Sequence, residues 1–553
     1  MYRLIPEKLA LACLLAGALS SAPVSAGDTW RSVLYPEDWK PGYEAPDGGY
    51  LHDFSYAGYH RGEQPIPTRS ENLIDATAAP YSADKTGQAD ATAAIQSALD
   101  AAAEAGGGVV LLPAGTYKVA PSAEGKTALF ISGDNVVLRG EGRDKTFLYN
   151  DSVQMRNKSV LTIGSKNGVW WASKSYPTVP ITQDLLKPVT VIPVADLADM
   201  AVGDYVVVRT DMTQRMIDQL EMTGVWKPTD PYQPSPAYAR RITAVDPEAK
   251  TITVDVPLHG FVYVADNARV AILKKAKPVE ESGVESLSIG MKQHPGGGLD
   301  DDDKKNMTPG TTGYEIFRAA ALIFDGAENC WARNVGSYCP PGNDPDIHLL
   351  SHGVRIMRSR NVTLEDGFFA YPQYRGEGGN GYMYTLYGND CLLKNCTGKG
   401  GRHNFSFGEM GSTGNVLLNF HAIDGRLPSD FHMYLSRVNL IDNAVADGDY
   451  FAAVKRFAPP THGETTSESV FWNTTGLRYQ PEVGEYAGHP TKNPQFLIIS
   501  HQWGQGYVIG TQGPCHDVET DDFCEGVGRG ADLQPRSLYE DQLQRRLGAA
   551  SRN

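Results

Sequence analysis

The hydrophobic and polar positions between residues 351 and 476 repeat with a long period. Five short blocks of β-forming residues occur there, each preceded by a turn and separated by glycines. The blocks are 29, 25, 24 and 30 residues apart and begin at Asn361, Asp390, Asn415, Asn439 and Ser469. A unit of this length cannot bury a core alone and is stabilised by its neighbours. The pattern therefore predicts a solenoid of stacked β units.

A helix pattern precedes the first strands. Residues 90–105 are rich in alanine, and three glycines follow them, which favours a helix that ends there. Residues 109–119 then read as strand, turn and strand, and 136–142 continue the β pattern.

Three segments of this region, Ala93–Leu99, Gly107–Tyr117 and Val137–Gly142, resemble the opening of the pectate-lyase-like superfamily. The resemblance implies a right-handed parallel β-helix whose first turn is covered by the helix, and it implies activity on carbohydrates. A helix that covers the first coil is also expected on physical grounds, because an uncovered coil would expose unpaired backbone groups. We therefore expect an all-β fold, a single right-handed parallel β-helix with an N-terminal capping helix, over residues 75–530.

The coil period is interrupted between residues 186 and 273. Four runs alternate there with period two, and Asp246–Lys250 separates the last pair as a hairpin loop. This pattern predicts an antiparallel β insertion. Its loop from Met212 to Tyr238 is long enough to overhang a cleft. A surface flap without a role is the alternative.

The two ends of the chain differ from this central body. Residues 1–26 combine two early cations, an apolar run and a small-residue cleavage site, which predicts a signal peptide and a secreted or periplasmic protein. Residues 27–74 are rich in Tyr, Pro and Gly and are expected to wrap the surface. A C-terminal helix and tail are predicted over 531–553.

Composition narrows the possible partners and cofactors. The net charge of −15 argues against nucleic acid and anionic membranes. Six cysteines follow residue 26, and a local Cys515–Cys524 disulfide is the most economical pairing. The acidic run at 300–305 lacks the ligand spacing of an EF-hand and is predicted to be a solvated loop. We expect no metal or other cofactor, with calcium left open.

Polar side chains align on one face of the predicted coils. Apolar alternation places these residues inside: Met383, Phe405, Phe407, Met433 and Leu435, with His403 also inward. The outward residues of four coils are then Asn380, Tyr382 and Tyr384; Arg402, Asn404 and Ser406; Asp430, His432 and Tyr434; and His462 and Glu464. The bordering turns carry Arg375, Lys399 and Arg456. A solvated ion-pair ladder is the alternative, but four polar coils with interleaved tyrosines favour a sugar-binding groove.

Two reactions are compatible with this column of outward polar side chains. β-Elimination from a uronide needs a neutralised substrate carboxylate and a base near the C5 proton. The predicted catalytic residues are His432, Arg402, Asp430, His462 and Lys399. The predicted substrate-binding residues are Asn380, Tyr382, Asn404, Arg375, Arg456 and Glu464. Hydrolysis instead needs two carboxyl groups about 5–9.5 Å apart, for which Asp430 and Glu464 are candidates.

His432 is the strongest single candidate. Histidine exchanges protons near neutral pH, and Asp430 is expected to orient its ring and favour the imidazolium. We therefore predict that His432 transfers a proton or contacts the residue that does.

The predicted function is a secreted polysaccharide lyase acting on an acidic, uronate-containing glycan. The acidic triplet of polygalacturonases and the calcium-binding aspartates of pectate lyases are absent from the chain. A glycoside hydrolase or transglycosylase, and a glycan-binding β-helix without catalysis, are the alternatives.

Overall fold

The computed structural model describes residues 29–173, 175–228, 235–299, 305–376, 378–457, 460–481 and 495–550. The predicted signal peptide, the acidic run over 300–304 and part of the predicted overhanging loop, 229–234, lie outside the described residues. No described helix is long and apolar enough to cross a membrane.

The chain opens with a capped stack of short strands. Ile95, Ala98, Leu99 and Ala102 form the buried side of the first helix and pack on the strands that follow. The helix thus covers the first coil, as predicted. The elements are β1 (Leu73–Asp75), β2 (Thr86–Asp90), α1 (Thr92–Glu104), β3 (Gly108–Leu112), β4 (Gly115–Val119), β5 (Thr127–Ile131), β6 (Val136–Gly140), β7 (Thr146–Asn150) and β8 (Ser159–Gly164).

A six-stranded antiparallel sheet interrupts the stack, as the period-two alternation predicts. Its strand order is β10-β13-β12-β11-β14-β9, and it has an apolar core of its own. Its first strand lies before residue 186, where the sequence pattern begins. The elements are β9 (Thr178–Pro180), β10 (Val189–Pro193), β11 (Tyr205–Arg209), α2 (Gln214–Gln219), β12 (Ala237–Asp246), β13 (Thr251–Leu258) and β14 (Arg269–Ile272).

The stack then resumes and runs to the C-terminal helix. The next elements are β15 (Val279–Glu280), β16 (Gly283–Met291), α3 (Thr312–Glu315), β17 (Ala320–Asp325), β18 (Ala327–Glu328), β19 (Trp331–Ser337), β20 (His352–Arg360), β21 (Thr363–Glu365), β22 (Phe368–Ala370), β23 (Tyr382–Asn389), β24 (Leu392–Lys394), β25 (Thr397–Lys399), β26 (His403–Gly408), β27 (Val416–Leu418) and β28 (His421–Ile423). They are followed by β29 (Ser429–Met433), β30 (Ser436–Arg437), β31 (Leu440–Asp442), β32 (Val445–Asp447), β33 (Phe451–Ala453), β34 (Thr466–Ser467), β35 (Val470–Arg478), β36 (Ile498–Ser500), β37 (Tyr507–Gln512), β38 (Val518–Thr520), β39 (Phe523–Glu525) and α4 (Leu538–Ala550).

These strands build the faces of one parallel β-helix. On the first face the parallel order is β5-β8-β17-β20-β23-β26-β29-β33-β36-β38. A second face includes β21, β24, β27 and β31, and a third includes β22, β25, β28 and β32, each strand pairing with its equivalent one coil away. Long strands such as β35 pair with both of these faces. The predicted fold class is confirmed.

The repeat seen in the sequence corresponds to a side-chain ladder. Asn415 Nδ2 donates to Asn439 Oδ1 at 2.9 Å, and the Asn439 amide donates to Ser469 Oγ at 3.1 Å. Asn361 and Asp390 occupy a position one residue earlier in the coil, because the Cys391 amide donates to Asn415 Oδ1. The ladder satisfies polar groups at the turn where each block begins.

Two predicted side-chain directions are wrong in the interior. Phe405 and Phe407 are buried in the core as expected, but Met433 lines a cleft and Leu435 packs against the insertion. The register shifts at Gly408, and the positive φ angles of Tyr434 and Leu435 end the strand there. Beyond such a break, side chains no longer alternate strictly between the two faces of the strand. Tyr384, predicted outward, is also a core residue.

The N-terminal segment covers the outside of the second face. Tyr35 and Phe54 pack with Leu440 and Trp472 in a separate apolar cluster that also includes Leu538 of α4. The predicted Cys515–Cys524 disulfide is not formed. Cys515 lies beside Gly476 at the end of β35, whereas Cys524 lies in β39 opposite Val508.

Candidate active site

A cleft of about 730 Å³ lies between the insertion and the first face of the β-helix. This volume is typical of small-ligand sites. Strands β11 and β12 of the insertion contribute Arg209 and Ala237 to the lining. The β-helix contributes Arg355, Tyr382 and His432, among others. The cleft therefore depends on both parts of the chain.

His432 and Asp430 share one side of β29. Phe431 between them points into the core, so alternation turns its two neighbours toward the cleft. His432 Nδ1 lies 2.9 Å from Asp430 Oδ2. Arg456 donates to the same carboxylate oxygen at 2.6 Å. Asp430 therefore fixes the imidazole ring while its own charge is balanced by a guanidinium.

The other side of the imidazole meets a tyrosine. Tyr382 Oη lies 3.1 Å from His432 Nε2. With the Nδ1 proton directed at Asp430, Nε2 is free to accept the phenol proton. Arg402 NH1 donates to Tyr382 Oη at 3.3 Å. The result is a continuous hydrogen-bonded chain from Arg402 to Asp430.

His403 joins this cluster from the neighbouring strand, although it was predicted to point inward. Its Nδ1 lies 2.6 Å from the Pro428 carbonyl oxygen and its Nε2 lies 3.1 Å from Arg402 NH1. The register pairs it with Tyr382, and their rings are 4.8 Å apart. Asn404 takes the inward direction instead, because its side chain bonds the turn that precedes β26.

The histidines of the cluster are held neutral. Burial lowers the pKa of His432 well below its ordinary value, and Arg456 and His462 lower it further. Burial similarly lowers the pKa of His403. It lowers the pKa of His462, whose ring is 4.9 Å from that of His432, to about 4. The expectation that Asp430 favours an imidazolium is therefore wrong, because burial and the neighbouring cations outweigh one neutralised carboxylate.

The cleft is strongly cationic. Its lining includes six arginines, namely Arg209, Arg318, Arg355, Arg358, Arg402 and Arg456. Arg358 is paired with Asp325 and Arg456 with Asp430. Among the described residues, no carboxylate forms an ion pair with Arg318, Arg355 or Arg402. The described lining has one carboxyl group, Glu409, whose pKa is raised by burial.

Several predicted site residues lie outside this cleft. Lys399 is on the third face, over the ring of Tyr371. Arg375 donates to the Gly400 carbonyl oxygen in a turn. Glu464 is paired with Lys455 at 2.9 Å. None of these side chains is among the cleft-lining residues that the structure describes.

The two predicted asparagines are enclosed within the fold. Asn380 Oδ1 accepts from the Arg318 amide and from Ser351 Oγ. Asn404 Nδ2 donates to Asp449 Oδ2 at 2.8 Å. Both side chains are buried and support turns beside the cleft. These side chains form hydrogen bonds with polar groups of the fold itself. Sequence alone does not distinguish this role from ligand binding.

The histidine cluster contains atoms that can ligate a metal ion. Ligand atoms of His403, Asp430 and His432 all lie within 4.8 Å of one another. Two nitrogens and one carboxylate do not match the oxygen ligands of calcium. Arg456 already contacts both Asp430 and His432, and Arg402 contacts His403. Two guanidinium groups therefore already contact the ligand atoms of this cluster.

Comparison with known proteins supports the resemblance of the opening segments. The family described as "Rhamnogalacturonase A/epimerase, pectate lyase-like" matches residues 78–175, which contain the capping helix and the first coils. The opening of this parallel β-helix is therefore similar to that family, as the sequence predicts.

Curated relatives match short stretches of this chain. Mannuronan C5-epimerase AlgE1 of Azotobacter vinelandii is 45% identical over 62 residues, 11% of this chain and 4% of the relative. Alginate lyase 7 of the same organism is 41% identical over 68 residues, 12% and 8% of the two chains. The match thus spans a small part of each relative.

Solved structures match this chain at low identity. The Gp54 tailspike of Acinetobacter baumannii bacteriophage AP22, solved with a capsular saccharide, has a TM-score of 0.43 and 11% identity, covering 77% of this chain and 55% of that one. PfbA, a surface adhesin of Streptococcus pneumoniae, has a TM-score of 0.40 and 12% identity, covering 83% and 92%.

Sequence reasoning missed several lining residues of this β-helix. Arg355 pairs in register with Thr385 one coil before the column that the sequence placed on the cleft face. Extending the predicted alternation by one coil would have placed Arg355 inward, because Thr385 has the same parity as Met383, which was predicted to be inside. Arg318 and Glu409 lie in irregular chain outside the strands or at a strand end, where periodicity gives no signal.

Proposed function

We propose that the protein is a polysaccharide lyase that cleaves a uronate-containing glycan by β-elimination. The observation that carries the proposal is the meeting of a Tyr382–His432–Asp430 chain with arginines that have no ion pair to a described carboxylate, in one cleft. The relatives named as mannuronan C5-epimerases and an alginate lyase support a glycan substrate.

The arginines suit the first requirement of elimination. The C5 proton of a uronate becomes acidic only when charge on the adjacent carboxylate is neutralised in the transition state. Guanidinium groups bind carboxylates through two parallel hydrogen bonds. Arg318 and Arg355 are available for this contact, since neither is paired with a described carboxylate. A substrate carboxylate would complete the charge balance of the cleft.

The hydrogen-bonded chain suits the second requirement. Tyr382 Oη takes the C5 proton while its own proton passes to His432 Nε2, which lies 3.1 Å away. Asp430 holds the resulting imidazolium, and Arg402 stabilises negative charge on the phenol oxygen. His432 thus acts on the substrate through Tyr382.

The bond changes balance in this scheme. The C5–H bond breaks and its electron pair is delocalised into the adjacent carboxylate. The pair then forms the C4=C5 double bond as the C4–O4 bond breaks, and the leaving oxygen takes up a proton returned by the tyrosine–histidine pair. The products are an unsaturated uronate at one new end and a free hydroxyl at the other. No water is consumed.

A glycoside hydrolase is the second candidate, and Glu409 favours it. Burial raises the pKa of this cleft carboxyl, as a general acid requires. The partner would be Asp430, whose oxygens are bound by Arg456 and His432. Glu464, the partner considered from the sequence, is paired with Lys455 away from the cleft. The elimination scheme uses the described contacts more completely.

The products of uronate polymers distinguish these reactions. Incubation with a panel of such polymers is expected to generate the ultraviolet absorbance of a conjugated unsaturated uronate. His432→Ala should reduce that rate at least about 100-fold, because positioned acid–base groups contribute about 10²–10⁴-fold. New reducing ends without absorbance would support hydrolysis instead. An altered C5 configuration without chain cleavage would indicate epimerisation, which shares the proton abstraction.

A further inference from the structure

A second cavity, of about 840 Å³, lies on another side of the insertion. Three distant parts of the chain enclose it: the N-terminal segment at 41–56, the insertion at 186–191 and 257–261, and β-helix turns that include Glu468 and Trp503. It shares no lining residue with the candidate active site. The cavity therefore requires its own explanation.

Some buried polar atoms of residues that line this cavity have no hydrogen-bond partner in the described part of the chain. His52 is 2% exposed, and neither of its ring nitrogens forms a hydrogen bond with a described residue. Its Nε2 lies 3.7 Å from Glu468 Oε2, which is beyond hydrogen-bond length. Arg437 is 5% exposed, and its Nε and NH1 are likewise unpartnered. Buried donors are costly when unmatched, so these groups suit a ligand that both donates and accepts.

Aromatic rings form the rest of the wall. Tyr50, Tyr56, Phe261 and Trp503 all line the cavity. The rings of Phe261 and Trp503 are 5.9 Å apart in an edge-to-face arrangement. Arg437 lies over Phe261 at 4.5 Å, which holds its guanidinium against the ring. Aromatic faces beside fixed polar groups suit a ring with apolar C–H faces and a hydroxylated rim.

The charge of this cavity differs from that of the cleft. Its carboxylates are Glu44, Asp53 and Glu468, and its cations are Lys187 and Arg437. Glu44 pairs with Lys187 and Glu468 pairs with Arg437. The cavity therefore has no excess of positive charge for an anionic ligand.

We propose that this second cavity binds a neutral saccharide unit and serves as an accessory glycan-binding site. The sugar hydroxyls contact His52 and Arg437, and the ring packs against Trp503. The proposal does not depend on the reaction assigned to the cleft.

The test titrates the full protein with glucose, galactose, mannose and their disaccharides, using glucuronate as the charged counterpart. Saturation-transfer NMR and tryptophan fluorescence report binding. Trp503→Ala should weaken the binding of a neutral sugar at least about tenfold, because ring stacking is lost. The matched variant Trp503→Phe should retain it within about threefold. Arg355→Gln, in the cleft, should leave it unchanged.

A second variant keeps the test valid if Trp503→Ala does not fold. Near-ultraviolet circular dichroism and the melting temperature are measured for each protein, and His52→Gln replaces Trp503→Ala if the latter unfolds. The proposal is overturned if no neutral sugar binds at a concentration of about 20 mM, at which even weak binding would be detected. It is also overturned if glucuronate alone binds, or if Arg355→Gln abolishes the binding that the cavity variants leave intact.

Discussion

Arginines have different surroundings beneath the insertion and in the cleft. Beneath the insertion, Arg240 is fully buried and lies 2.9 Å from Asp390, and Arg360 is paired with Asp255. In the cleft, Arg318 and Arg355 have no ion pair with a described carboxylate. The first group joins two parts of the fold, whereas the second leaves positive charge for a ligand. We propose that pairing, rather than residue type, distinguishes the structural arginines from those that bind the substrate.

The largest effect is expected at the tyrosine that the cleft arginines surround. Tyr382→Phe removes the hydroxyl that contacts both His432 and Arg402, so turnover should fall about 10²–10⁴-fold. Tyr384→Phe is the matched control, because that hydroxyl bonds the Thr397 carbonyl within the fold. Steady-state rates on a uronate polymer measure both. Equal activity of the two variants would contradict the proposed base.

The comparison between arginines predicts a second effect, on stability. Arg240→Ala leaves Asp390 buried and unpaired, which should cost about 3–5 kcal/mol of unfolding free energy. Arg355→Ala leaves no described carboxylate without its partner, so it should cost much less. Denaturant unfolding of both variants measures the difference. Similar losses would show that the two groups are not distinct.

Substrate binding gives a third, smaller effect. Arg355→Gln removes one charge from the cleft and should raise KM about tenfold for an acidic polymer, since a desolvated charge–carboxylate contact contributes about 1.5–3 kcal/mol. Arg358→Gln is a useful control, because Arg358 is already paired with Asp325. If both variants raise KM equally, the absence of a carboxylate partner has no bearing on binding.

The pH dependence should be the smallest effect within the neutral range. Neutral His432 accepts the tyrosine proton, so activity disappears as pH falls through the pKa of His432 in the folded protein. Burial places that pKa well below its usual value. The kcat/KM profile should therefore stay flat through about pH 6.5, the ordinary histidine pKa. Loss of half the activity near pH 6.5 would show that His432 is not shielded in the working enzyme.

Much of the fold follows from the sequence, because a 24–30-residue period and a capping helix have few structural solutions. Part of the candidate site could be predicted as well, because alternation along β23 and β29 placed Tyr382, Asp430 and His432 on the outward face. The predicted side-chain directions were wrong where the strands became irregular. Met433 lies at a register shift, and one residue of slip reverses the face that a side chain occupies. His403 is buried, as predicted, but its ring lies beside that of Tyr382.

The cationic character of the cleft could not be predicted from the sequence, for a different reason. Arg209 comes from the insertion, Arg318 from a connecting segment and Arg355 from an earlier coil. These positions are far apart along the chain, and the net charge of −15 suggests the opposite sign. Only the folded arrangement shows which arginines lack a described carboxylate.

The most direct test of the account compares one uronate polymer with its carboxyl-reduced, neutral form. Both are incubated with the protein, and the ultraviolet absorbance of the unsaturated product is followed together with new reducing ends. The account predicts absorbance and chain cleavage for the acidic polymer and neither for the reduced one, because the carboxylate both binds the arginines and makes C5 acidic. Cleavage of the two polymers at similar rates, without absorbance, would contradict it.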